Sequence, residues 1–131
     1  MLPSQVQLTQ KIQKTILVVD DDASVRELTE YWLASDGYDV ITAKNGSEAI
    51  DRLKSVKNIA VILLDVQMPV MNGNEVLNEM RIGGFLESTP VVIVTATHQP
   101  NGLGEVFREL LKPVSRLHLL ECIEECVKRR A

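Results

Sequence analysis

The sequence is poor in cysteine, in long apolar runs and in excess positive charge, and each shortage removes a class of function. Its only two cysteines, Cys122 and Cys126, stand four residues apart on one side of an expected helix, "LLECIEECVKRR". Two thiolates alone make a poor zinc site, so partly buried reduced thiols are expected. No stretch approaches the ~20 apolar residues of a membrane span. The start "MLPSQVQLTQKIQK" lacks the apolar core of a secretory signal. A cytoplasmic protein with no membrane contact is therefore expected. A formal net charge of −4 argues against direct nucleic-acid binding, which needs a basic face. Repeats and low-complexity tracts are missing too, and no linker interrupts the chain after residue 15. The 131 residues suit one domain with a single core: a polar extension over 1–14 and a folded domain over 15–131.

What is present begins at Thr15–Asp22, "TILVVDDD", an apolar run that ends in three carboxylates. Two such charges about 4 Å apart repel by roughly 4 kcal/mol at an effective dielectric near 20. Either water screens them or a cation belongs between them.

Further along, "YDVITA" (38–43), "IAVILLD" (59–65) and "PVVIVTA" (90–96) also read as strands. The runs near 16, 61 and 92 are continuously apolar rather than alternating, as parallel strands covered on both faces should be. Helical patterns separate them. Val25, Leu28, Trp32 and Leu33 share one face, with Asp22 as N-cap and Gly37 as stop. Ala49, Ile50 and Leu53 group together behind a possible Ser47 cap, as do Val76, Leu77 and Met80. In the last helix Leu117, Leu120, Ile123 and Val127 align, and Lys128–Arg130 suits a helix C-terminus. Strand–helix alternation predicts an α/β doubly wound sheet. Only Leu103–Arg108 has helical character between the last two strands, among Pro100, Gly102 and Gly104, so a fourth helix there should be short or irregular.

Open parallel sheets bind ligands beyond the carboxyl ends of their strands. The predicted strands end in Asp20, Asp21 and Asp22, in Asp65, in Thr95, and in Lys112 followed by Pro113. Oxygen ligands without histidine or cysteine favour a hard cation such as Mg²⁺, which takes one or two carboxylates plus phosphate oxygens. Its charge reverses the repulsion at the first strand end.

In "ILVVDDD", "LLDVQMPVMNG", "VVIVTA" and "LKP", in that order and separation, the sequence resembles the receiver domain of two-component response regulators. The resemblance runs from about Thr15 to Val127. It implies a flavodoxin-like five-stranded parallel sheet of order 2-1-3-4-5. It also implies a signalling phosphoacceptor rather than an enzyme, beyond Mg-dependent self-phosphorylation from small phosphodonors and self-dephosphorylation. Asp65 would take the phosphoryl group from the phosphohistidine of a sensor histidine kinase or a histidine phosphotransfer protein. Asp20, Asp21 and Asp65, with the Gln67 backbone carbonyl, would hold Mg²⁺, Asp21 more directly than Asp20; Mn²⁺ could replace the ion. Thr95 would hydrogen-bond the aspartyl phosphate, Lys112 would pair with it, and small Ala96 would leave it room. Pro69 and Gly73 would shape the loop after Asp65, and the Lys112–Pro113 peptide is commonly cis in the family. The downstream partner stays unnamed, and either a stand-alone receiver or a piece of a larger kinase or regulator fits.

A rival reading comes from "VVDDDASV", which also fits the first motif of haloacid-dehalogenase-type phosphatases, with Asp20 as nucleophile and Asp22 as general acid–base. It leaves Asp65 without a task, supplies no acidic pair after Lys112 and has no room for a cap domain. Two departures from the receiver pattern remain. The interval from Thr95 to Lys112 is shorter than the family's by more than a helical turn. Glu109 stands where receivers usually carry Tyr or Phe, an aromatic that swings inward when Thr moves toward the phosphate. Phe107, two residues earlier and on the same face of an extended strand, is the candidate substitute.

Overall fold

The computed structural model describes residues 14–68, 72–97 and 106–130. The expectations for 1–13, for Pro69 and for residues 103–105 of the segment Leu103–Arg108 fall outside them. Arg108 itself opens a strand instead of closing a helix. The described elements are β1 (Thr15–Val19), α1 (Ala23–Ser35), β2 (Asp39–Ala43), α2 (Gly46–Ser55) and β3 (Ile59–Asp65). These are followed by α3 (Gly73–Ile82), a 3₁₀ turn (Phe85–Glu87), β4 (Val91–Thr95), β5 (Arg108–Leu111) and α4 (Arg116–Arg130). All strand pairs are parallel, in the order β2-β1-β3-β4-β5. Among the described residues, no helix is long and apolar enough to cross a membrane.

The continuous apolar runs follow from helices on both sheet faces. Leu17, Val19, Ile62, Leu64 and Ile93 turn to one side, against Ala49, Ile50 and Leu53 of α2 and Val76, Leu77 and Met80 of α3. Their neighbours Ile16, Val18, Val61, Leu63 and Val92 turn to the other, against Leu33 of α1 and Leu119, Cys122, Ile123 and Cys126 of α4. Each fully buried side chain of this size stabilises the fold by about 1.5–3 kcal/mol. The central strands are thus stiff supports for whatever stands at their ends.

Three local readings need correction. The aligned face of α1 is only partly covered: Leu33 is buried, while Val25 and Leu28 stay 36% and 48% exposed beside an open cleft. In α4 the buried stripe is rotated toward the cysteines. Leu117 is exposed, and Cys122 and Cys126 are buried thiols, outside any disulfide, packed on the sheet. The cap of α2 is Asn45, whose Oδ1 accepts the Glu48 N–H at 2.8 Å, because the helix already begins at Gly46, before Ser47.

Candidate functional site

Strand register builds the site. Val19 lies beside Leu64, so the next residues, Asp20 and Asp65, meet at the carboxyl end of the sheet. Asp65 pairs with Val94, which puts Thr95 one step beyond it. Thr95 pairs with Leu111, which brings Lys112 to the same rim. Asp20, Asp21, Asp65, Thr95 and Lys112 therefore converge although 92 residues separate the first from the last.

One carboxylate oxygen from each of Asp20, Asp21 and Asp65 lies within 4.8 Å of the others. Asp20 and Asp65 are 5% exposed, while Asp21 is open to water. Lys112 Nζ stands 3.1 Å from Asp20 Oδ2 and 3.6 Å from Asp65 Oδ2. The Asp65 Oδ1 accepts the Gln67 N–H at 3.1 Å. Burial pushes the Asp65 carboxyl up from 3.8 to about 6, against the pull of Lys112 and the Gln67 N–H, and with further push from Asp20 and Asp21. Burial lowers Lys112, but its hydrogen bond to Asp20 and the attraction of the three aspartates outweigh that, so it is raised and stays cationic. An all-oxygen donor set of two buried carboxylates and one exposed one suits a hard divalent ion that keeps part of its water.

The third aspartate has another task. Asp22 Oδ1 accepts the N–H groups of Ser24 at 2.9 Å and Val25 at 3.2 Å, capping α1. Asp22→Ala is expected to cost about 1 kcal/mol of stability in urea unfolding while changing metal affinity less than the loss of a ligand or of Arg26 would. A loss of affinity as large as a ligand's would return Asp22 to the site.

Of the remaining expected residues, Thr95 is fully buried, and its hydroxyl donates to the Thr97 carbonyl at 3.0 Å and accepts the Thr97 N–H at 3.3 Å. Ala96 is exposed at the rim. The Lys112–Pro113 peptide is cis. Gly73 is buried under the loop after Asp65, its N–H donating to the Val66 carbonyl at 2.9 Å. A Cβ there would lie 2.8 Å from Val66 Cα, which is backbone and cannot rotate away. Gly73→Ala should therefore destabilise the domain by about 1–3 kcal/mol, read from the urea midpoint.

Phe107 does not stand where the extended-strand argument puts it. β5 begins at Arg108, and the Phe107 N–H donates to the carbonyl of Val91, at the end of β4 far from Thr95. Like Leu110, it packs against the core on the α4 side of the sheet. Leu110 and Glu109 alternate across the strand, so Phe107 is not on the Glu109 face.

Two contacts at the site escape the motif reading. The Gln67 side-chain amide donates to Thr97 Oγ1 at 3.2 Å, tying the loops after β3 and β4. Arg26 Nη1 donates to the Asp20 carbonyl at 2.8 Å. The available signal was a cation in the first turns of a helix, where the dipole disfavours it. Beside the acids an apolar cleft of about 380 Å³ opens between Leu28 and Trp32 of α1 and Val114 and Leu119 at α4.

Comparison with known proteins supplies the family. The family model described as "Response regulator receiver domain" matches residues 16–124. The chain belongs to the response regulator receiver family. Receiver domains are phosphoacceptors of two-component signalling, and the phosphatase reading is not favoured. A putative transcriptional regulator of Haloferax volcanii is 35% identical over 89% of this chain and 20% of its own length. The transcriptional regulatory protein CrdR of Helicobacter pylori is 40% identical over 73% of this chain and 44% of its own. The receiver thus spans less than half of these curated relatives. Among solved structures, the Vibrio cholerae chemotaxis protein CheY4 matches with a TM-score of 0.79 and 30% identity, covering 86% of this chain and 98% of its own. The Thermotoga maritima response regulator TrrA, solved with Mg²⁺–BeF, matches with a TM-score of 0.78 and 32% identity, covering 87% and 99%.

Proposed function

We propose that Asp65 is the phosphoacceptor of this receiver and that Asp20, Asp21, Asp65 and the Gln67 carbonyl hold the Mg²⁺ it requires. The observation that carries this reading is the joint approach of Asp20, Asp21 and Asp65, with Lys112 spanning the two buried acids. An Asp65 oxygen attacks the phosphorus of a phosphohistidine, forming the acyl phosphate as the phosphorus–nitrogen bond breaks. The Gln67 N–H orients the carboxylate for that approach. Lys112 then pairs with the phosphoryl oxygens, and exposed Ala96 leaves them space. Bound Mg²⁺, or Mn²⁺ in its place, supplies charge neutralisation for those oxygens.

Thr95 supplies the switch. Its hydroxyl is tied to Thr97, and a phosphoryl oxygen offers a charged acceptor that outcompetes a neutral carbonyl. Moving Thr95 reorganises the loop after β4, which reports phosphorylation to a downstream protein. With Glu109 in the aromatic's position, this readout runs through the loop itself. The donor is a sensor histidine kinase or a histidine phosphotransfer protein, and the domain is cytoplasmic, regulatory rather than enzymatic, and without direct contact to nucleic acid.

The test is incubation with a small phosphodonor and Mg²⁺. A hydroxylamine-labile label that disappears on chelation is expected. A folded protein that takes up no label at saturating Mg²⁺ overturns the reading.

A further inference from the structure

Asp20 has four polar groups, and each is held. Its N–H donates to the Ala43 carbonyl at 3.2 Å, its Oδ1 accepts the Asp22 N–H at 2.9 Å, and its Oδ2 meets Lys112 Nζ at 3.1 Å. Strand, turn and site account for these three. The fourth, the main-chain carbonyl, is held by Arg26 from the second turn of α1.

The geometry points to Arg26 as a positioning residue for the cation site. The Asp20 carbonyl belongs to the peptide that joins Asp20 to Asp21, and its direction fixes the rotation of that peptide plane. The plane in turn sets where Asp21 projects. Asp21 is exposed, so close packing does not direct its carboxylate toward Asp65; the backbone that carries it must. Arg26 is half-buried, and Asp22 caps its helix. The guanidinium is therefore anchored to a rigid element while it grips the strand tip. A planar donor fork suits this task because its direction is fixed once the stem is packed.

The proposal rests on the Mg²⁺ reading, and it has a sign that separates it from simple electrostatics. A guanidinium near three carboxylates repels a dication, so removing it should tighten Mg²⁺ binding if charge is all it contributes. If Arg26 positions Asp21, removing it should weaken binding.

Calorimetric titration of Mg²⁺ decides between the two, with fluorescence of Trp32, the single tryptophan, as a second readout from the same cleft. Arg26→Met is expected to raise the Kd about 10-fold, within the range seen when a supporting partner of a metal ligand is lost. Arg26→Lys keeps the charge but not the fork, and it should raise the Kd about 3-fold. Thermal melts in chelator establish that the variants are folded. A Met variant that binds as tightly as the parent, or tighter, overturns the proposal, as does a lowered Tm with an unchanged Kd. Should the Met variant not fold, a Lys variant with the parent's affinity overturns it. A parent that binds no Mg²⁺ refutes the underlying cation site instead.

Discussion

Asp65→Asn should abolish phosphoryl labelling, while Asp20→Asn should leave labelling detectable at high Mg²⁺. An amide oxygen at position 65 is a poor nucleophile and cannot form the acyl phosphate, so the label falls below detection at any Mg²⁺ concentration. Asp20 has a different standing. Its carboxylate is engaged by the Asp22 N–H and Lys112 Nζ, and in the proposed reading it holds the cation rather than the phosphoryl group. Its neutralisation should weaken Mg²⁺ binding by about 10–100-fold and slow labelling at low metal. High Mg²⁺ should restore most of the rate. The phosphatase reading requires the reverse, with label persisting in Asp65→Asn and lost in Asp20→Asn. Labelling with a small phosphodonor, measured across Mg²⁺ concentrations in both variants, distinguishes the two chemistries without knowledge of the natural donor.

Acid should stabilise the metal-free domain, on the account of Asp65, where most proteins lose stability. Its carboxyl is raised from 3.8 to about 6, with burial the main cause. The folded state therefore binds a proton more readily than the unfolded chain between those values. The resulting stability is fully present below about pH 4 and is lost as pH rises through 6. A shift of two units corresponds to on the order of 3 kcal/mol between the two ends of that window. Urea midpoints in chelator should fall from pH 5 to pH 7.5, and Asp65→Asn should flatten the decline. Mg²⁺ binds the ionised form, so saturating metal should raise the midpoint most at pH 7.5. A parent whose midpoint in chelator is the same as the Asp65→Asn variant's across this range would remove burial of the charge as the cause.

The sequence was most informative where physics acts along a short stretch. β3 could be bounded at Ile59–Asp65 because a strand covered on both faces needs an unbroken apolar run, and a carboxylate ends it. The order of the strand ends then brought Asp20, Asp65, Thr95 and Lys112 to one rim, since parallel register keeps carboxyl ends together. Reading failed where a choice depends on a neighbour far along the chain. The face of α1 carrying Val25 and Leu28 looks like core, yet the spacing of α1 from α4 leaves it beside a cleft. The α4 stripe centres on Leu119, Cys122, Ile123 and Cys126, with Leu120 and Val127 at its edge, because a buried cysteine packs as a small apolar side chain. Phe107 was assigned by alternation to a strand that starts one residue later, and a period of two carries no meaning outside the ladder. Arg26 leaves no motif, because its side chain bonds a backbone carbonyl, and its one signal is a cation where the helix dipole disfavours it.

The hidden thiols have a practical side. Cys122 and Cys126 stand on the sheet-facing side of α4, both out of reach of solvent, and burial pushes the Cys122 thiol further from its reactive ionised form. Because the chain has no other cysteine, a maleimide dye or nitroxide aimed at an introduced surface thiol meets little competition. Probe pairs spanning the rim could then follow the phosphorylation cycle in the unaltered core, without first replacing residues on which the sheet is packed.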